Sequence, residues 1–140
     1  MASIDSLQEE YKNLGKRFQS SCNGVIDSGL LMAFDYDYQG QDAEVVISTQ
    51  EFTAVCPWTD LPDFGTVTVT YVPKQSCIEL KSLKYYLSSF TGVGIVQEHA
   101  ANRILSDLFQ CCQPVRMEIL LDYNTRGGLH TTVKVNRQNT

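Results

Sequence analysis

Residues Thr66-Val67-Thr68-Val69-Thr70-Tyr71-Val72 alternate without a break. From Glu79 the pattern changes to Glu-Leu-Lys-Ser-Leu-Lys-Tyr-Tyr-Leu-Ser-Ser-Phe, ending at Phe90. In the first stretch Val67, Val69 and Tyr71 share one face and Thr66, Thr68 and Thr70 the other, as in a strand buried on one side. Pro73 ends it, because proline has no N–H to offer a ladder. In the second stretch Leu80, Leu83, Leu87 and Phe90 recur at helical spacing, which predicts a helix over 79–90. Thr91-Gly92-Val93-Gly94 breaks that helix. A chain that switches from period two to period 3.6 at its middle reads as α+β.

The flanks complete the pattern. Upstream, Val45, Val46 and Ile47 predict a strand over 43–49. Downstream, Ala101, Ile104, Leu105, Leu108 and Cys112 form the inward stripe of a helix over 97–112, closed by Pro114. Val115, Met117, Ile119 and Leu121 alternate in one further strand, and Leu129, Thr131, Val133 and Val135 in another. Between them, Asn124-Thr125-Arg126-Gly127-Gly128 supplies the glycines of a turn. Two hairpins around a helix pair give a four-stranded antiparallel sheet with the helices on one face. In front of this domain (43–140), residues 1–42 read as an N-terminal helix and a connecting arm. Ile4, Leu7, Tyr11, Leu14 and Phe18 form the stripe of a short helix over 4–18, and 19–42 has no clear period.

A length of 140 residues is enough for one domain with its own core. The net charge of −5 argues against a general nucleic-acid or membrane-surface role, since both favour a basic field. No apolar run approaches the roughly 20 residues of a membrane span. The first residues have neither a basic start nor an apolar run, so no signal peptide is expected and the cytoplasm is the expected location. The five cysteines, Cys22, Cys56, Cys77, Cys111 and Cys112, are odd in number and lack C-x-x-C spacing. They fit free thiols in a reducing compartment, and no Cys/His spacing proposes a metal site.

Chemistry concentrates between Glu51 and Phe64, Glu-Phe-Thr-Ala-Val-Cys-Pro-Trp-Thr-Asp-Leu-Pro-Asp-Phe. Cys56 stands at a proline-pinned turn and Asp63 seven residues later, just before the next strand. Taken locally, this is either a nucleophile with a proton-transfer partner or a small apolar residue followed by a turn aspartate. Glu79 opens a helix with Lys81 and Lys84 one turn apart, either a charged ligand site or a solvated face. Glu98 complements a helix dipole or accepts a pair of parallel N–H bonds from a guanine-like ring. Arg126 on its glycine turn holds a phosphate or points into solvent.

Together these stretches resemble the 7-cyano-7-deazaguanine reductases, the QueF family of nitrile reductases in queuosine biosynthesis. The resemblance runs from about residue 43 to residue 135 and includes the reductase signature at Glu79-Leu-Lys-Ser-Leu-Lys-Tyr-Tyr. It implies a tunnelling fold, ring-forming homo-oligomers with active sites between subunits, and reduction of the nitrile of 7-cyano-7-deazaguanine with two NADPH. It further implies Cys56 as the nucleophile that forms a thioimide and Asp63 as the proton donor. By the same resemblance Glu98, Ile78, Glu79 and Leu80 bind the base, with Gln97 beside them, and Lys81, Ser82, Lys84 and Arg126 bind NADPH. The family's aromatic-histidine pair before the anchoring glutamate is Val96-Gln97 here, and His99 follows instead. Two other readings share the fold: an amidinotransferase using the same cysteine, and a non-catalytic deazapurine-binding module.

Overall fold

The computed structural model describes residues 25–140; the helix expected over 4–18 lies outside them. The main sheet has strand order β2-β3-β5-β6 and is antiparallel throughout. Its strands are β2 (Val45–Val55), β3 (Pro62–Val72), β5 (Arg116–Tyr123) and β6 (Thr132–Gln138). Two helices, α1 (Leu80–Ser88) and α2 (Gln97–Cys112), supply the apolar faces that fill out its core. The expected architecture is therefore present, with different strand limits.

The limits differ for a physical reason. The ladder between β2 and β3 runs from Val45 opposite Tyr71 to Thr49 opposite Val67, then resumes at Phe52 opposite Gly65. One extra residue on β2 makes a bulge, and the inward set shifts from Val45 and Ile47 to Phe52 and Ala54. Alternation broken at Thr49 looks like the end of a strand, yet β2 continues to Val55. Asp63, expected just before the next strand, instead lies within β3 opposite Ala54, on the inward face. At the other hairpin, Gly127 (φ 58°) and Gly128 (φ 79°) adopt the expected positive φ. Arg126 and Leu129 bridge across them, so β6 starts at Thr132 rather than Leu129.

The core forms where Val67, Val69, Tyr71, Met117, Ile119 and Leu121 of the sheet meet Ala101, Ile104, Leu105 and Leu108 of α2. Leu83, Tyr86, Leu87 and Phe90 bring α1 and its exit into the same cluster. Tyr86 ties the helices together: its hydroxyl donates to Asp107 Oδ2 at 2.6 Å, and Arg103 Nε donates to the same oxygen at 2.7 Å. Burial keeps that phenol protonated far above its ordinary value, with Asp107 adding to the effect.

Part of the segment without legible period is structured. β1 (Ala33–Asp35) pairs with β4 (Ser76–Ile78) in a second, two-stranded sheet. Leu30 is buried, Met32 N donates to Ser82 Oγ at 3.0 Å, and Glu79 N donates to Met32 O at 2.9 Å. Residues 28–35 thus fasten onto the start of α1. Three-residue strands are too short to show a period, which is why the sequence hides them. Among the described residues no helix is long and apolar enough to cross a membrane.

Candidate active site

The β2–β3 turn presents Cys56. Its N–H donates to Leu61 O and its carbonyl accepts from Asp60 N, both at 2.9 Å, with Asp60 at φ 57°. This closed turn gathers donors around the sulfur. The Thr59 hydroxyl, then the backbone N–H groups of Trp58 and Thr59, hold the thiol below its ordinary value of 9.0, against weak opposition from burial and the Asp63 charge. Backbone N–H groups converging in a turn favour an anion. The other described cysteines shift the opposite way: burial raises Cys77 and Cys111, and pushes Cys112 up to about 12. Among the described cysteines, Cys56 is the one whose thiol is held below its ordinary value, the direction that favours nucleophilic character.

Asp63 is 7% exposed on the inward face of β3. Its carboxylate is held by Arg126, whose Nη1 donates to Asp63 Oδ1 and also to Pro62 O at 2.9 Å. The glycine turn makes this reach possible, because β5 and β6 join at the same end of the sheet as the Cys56 turn. Arg126, expected to face a cofactor phosphate, is brought instead to the aspartate.

Backbone pairing also brings Gln97 and Glu98 to this end. Val55 N donates to Val93 O at 2.8 Å, and Ile95 N donates to Val55 O at 3.0 Å, forming a parallel bridge between Val55 and Gly94. The residue before Cys56 and the lead-in to α2 are thereby locked side by side. Gln97 is half-buried and Glu98 exposed in the first turn of α2. The Glu98 charge, like that of Asp63, bears on the Tyr123 hydroxyl. His99 is exposed and turned about 100° from Glu98, so it does not take the place of a histidine preceding that residue.

The remaining expected residues lie elsewhere in the chain. Glu79 caps α1, its Oε1 accepting from Lys81 N at 2.9 Å and its Oε2 from Ser82 N at 2.7 Å. Leu80 is 59% exposed. With Lys81, Lys84, Tyr85 and Ser88 it lines a shallow groove of about 520 Å³. Two of the expected residues have buried side chains. Ser82 is 0% exposed, donates to Glu79 O at 2.8 Å and accepts from Met32 N. The Ile78 side chain is buried in the core, so it supports the region from beneath. The start of α1 follows the C-terminal end of β3, whereas Asp63 stands near its N-terminal end. The nine steps from Asp63 to Val72 span roughly 30 Å of strand. From there α1 runs back along the sheet, and Leu80 and Lys84 share a second groove of about 340 Å³ with Glu51 and Phe52 of β2.

Two residues escaped the sequence reading. Thr59 had no signal beyond its place after Cys-Pro-Trp, and its effect needs the closed turn. Tyr123 looks like any inward residue of an alternating strand.

A thiol held below its ordinary pKa, a carboxylate held by arginine, and a second carboxylate at a neighbouring helix start thus gather at one end of the sheet, on an α+β tunnelling fold. A family profile described as "QueF-like protein" matches residues 62–140. A protein of Chlorobaculum tepidum named NADPH-dependent 7-cyano-7-deazaguanine reductase is 53% identical over 106 residues, covering 76% of this chain and 91% of that protein. A protein of the same name from Caldicellulosiruptor bescii is 49% identical over 127 residues, covering 91% and 95%. The chain belongs to the QueF family. Its fold is similar to the crystal structure of the archaeosine synthase QueF-Like in the apo form, with a TM-score of 0.64, 21% identity, and coverage of 69% of this chain and 94% of that one.

Proposed function

We propose that this protein is an NADPH-dependent nitrile reductase. It converts 7-cyano-7-deazaguanine to 7-aminomethyl-7-deazaguanine in queuosine biosynthesis, the route to a modified tRNA. Its named relatives support that reaction, and the observation that carries the chemistry is the Cys56 turn, which lowers the thiol's pKa beside Asp63. Asp63 takes the thiol proton as sulfur attacks the nitrile carbon, then delivers it to the nitrogen, giving an S-linked C(=NH) thioimide. Atoms balance, because the thiol proton becomes the imide proton. One hard reduction becomes two easier ones on a better acceptor.

NADPH supplies two hydrides in succession, each matched by one proton to nitrogen. After the first, the nitrogen lone pair expels sulfur as thiolate to give an iminium, whose extra proton returns to sulfur and leaves the neutral imine and the free thiol. The second addition gives the free amine. Asp63 is the group that moves these protons, and Arg126 keeps its carboxyl in place. Glu98 receives the parallel N–H pair of the deazaguanine edge, with Gln97 adding a neutral contact. For the cofactor, Lys81 and Lys84 present ammonium groups beside the apolar Leu80 and Tyr85, a donor set that fits a phosphate-bearing ligand with flat rings.

The open groove along Leu80, Lys81 and Lys84 supports a site shared between subunits. The Glu79–Lys84 region of one copy completes the Cys56–Glu98 region of another, so an isolated chain is inactive. The experiment is intact mass after incubation with 7-cyano-7-deazaguanine. The expected result is an adduct of the nitrile's mass, absent in Cys56→Ala and cleared by NADPH. An adduct that persists with NADPH and clears with ammonia would replace reduction by amidine formation. No adduct would leave base binding alone.

A further inference from the structure

Tyr123 ends β5 with its ring in the core, 2% exposed, and its hydroxyl oxygen is buried with no hydrogen-bond partner among the described residues. An unmet buried hydroxyl is costly, and phenylalanine would fill the same space without that cost. The ring packs edge-on against Phe52, with centroids 6.3 Å apart, a contact that needs no hydroxyl. The oxygen therefore calls for a partner that turns toward it.

Strand register supplies that partner. Tyr123 stands opposite Gly65, and Asp63 is the next inward residue along β3, so the two are diagonal neighbours on one face. No side chain intervenes at Gly65, where an added Cβ would meet Asp122 O at 2.8 Å and Tyr123 Cα at 3.1 Å. Asn124 N donates to Phe64 O at 2.9 Å, which holds the end of β5 against this part of β3. Arg126, three residues beyond Tyr123, already reaches back to Asp63, and it does so through Oδ1. Burial, then the charges of Asp63 and Glu98, keep the phenol protonated well above its ordinary value, so it remains a donor at working pH.

We propose that Tyr123 is a positioning residue for Asp63. Its hydroxyl donates to Oδ2 of the carboxylate and, with Arg126 on Oδ1, clamps the group from both sides so that it faces Cys56 during proton transfer. The clamp rests on the reading of Cys56 and Asp63 given above. The titratable groups facing the phenol are Asp63 from β3 and Glu98 from α2. Arg126 of the turn pairs with Asp63, and the Asp63 charge also bears on Cys56. The tyrosine itself neither gains nor loses a proton.

Tyr123→Phe in the full-length protein is the test, read by adduct formation, steady-state kinetics and thermal midpoint. The expected result is a fall of about 10–100-fold in both adduct rate and kcat, the effect of one hydrogen bond to a charged group. KM for the nitrile stays within about twofold and the midpoint is no lower than wild type. Unchanged rates overturn the proposal. A raised KM at constant kcat overturns it in favour of a role on Glu98, and a lowered midpoint with both constants impaired reduces Tyr123 to packing. If the wild-type protein forms no Cys56 adduct, the nucleophile reading fails instead, independently of Tyr123.

Discussion

Replacing Arg126 by alanine separates the two roles open to that residue. Its guanidinium meets the carboxylate of Asp63, with side-chain exposures of 41% and 10% respectively. Breaking a fully buried pair costs about 3–5 kcal/mol and an exposed one at most about 1. One buried partner and one partly solvated partner give an expected loss of about 1–2 kcal/mol after screening. For a chain of this size that lowers the thermal midpoint by about 3–8 °C. The kinetic consequence is larger than the structural one, because the released carboxyl no longer faces the sulfur. Adduct formation measured by intact mass over time, without NADPH, should slow by about 10–100-fold. Omitting NADPH removes every effect of cofactor binding from the assay. Arg126→Lys should recover only part of the rate, because an ammonium lacks the planar fork of the guanidinium. Adduct formation at the wild-type rate, combined with a raised KM for NADPH, would refute the reasoning and return Arg126 to the cofactor.

Other perturbations probe the remaining parts of the site and the core. Asp63→Asn should keep base binding in equilibrium titration and lose turnover; wild-type kcat in that variant removes the aspartate from the mechanism. Thr59→Val removes the hydroxyl that most lowers the Cys56 thiol, so the pH profile of iodoacetamide labelling at Cys56 should move to higher pH. An unmoved profile would leave the turn's backbone N–H groups as the whole cause. Mixing Cys56→Ala with Lys81→Ala/Lys84→Ala protein should restore activity that neither has alone, if each site draws on two copies; no recovery after subunit exchange is verified would place the site within one chain. Cys112 and Tyr71 are both pushed up to about 12 by burial. The stability they contribute is complete below their ordinary values of 9.0 and 10.0 and is lost as pH rises toward 12, so the thermal midpoint should fall over that range.

The regular parts of this fold were legible because their periods were long. Sixteen residues of α2 carry an unbroken stripe, and its observed limits, Gln97–Cys112, are those the stripe predicts. β2 was legible only as far as Thr49, since a bulge reverses which residues face inward and imitates a strand end. β1 and β4, at three residues each, contain less than one informative repeat. In the candidate site, Cys56 and Asp63 stood out by type and spacing as residues to examine, though not by their surroundings. The Arg126–Asp63 contact could not be read, because it depends on where two hairpins sixty-three positions apart come together. The burial of Ser82 could not be read either: a serine in a charged helix start looks exposed, and only the arriving backbone of Met32 shows why it is buried.

The short bridge between Val55 and Gly94 separates the frame of the site from its alphabet. Backbone atoms alone fix how far the Cys56 turn stands from the start of α2, so that distance does not depend on side chains at positions 96 and 97. On the proposed function, Val96 and Gln97 can therefore be exchanged in a library while the Cys56 sulfur keeps its station. Ligand preference in this chain is, in that sense, a replaceable part mounted on a fixed rail.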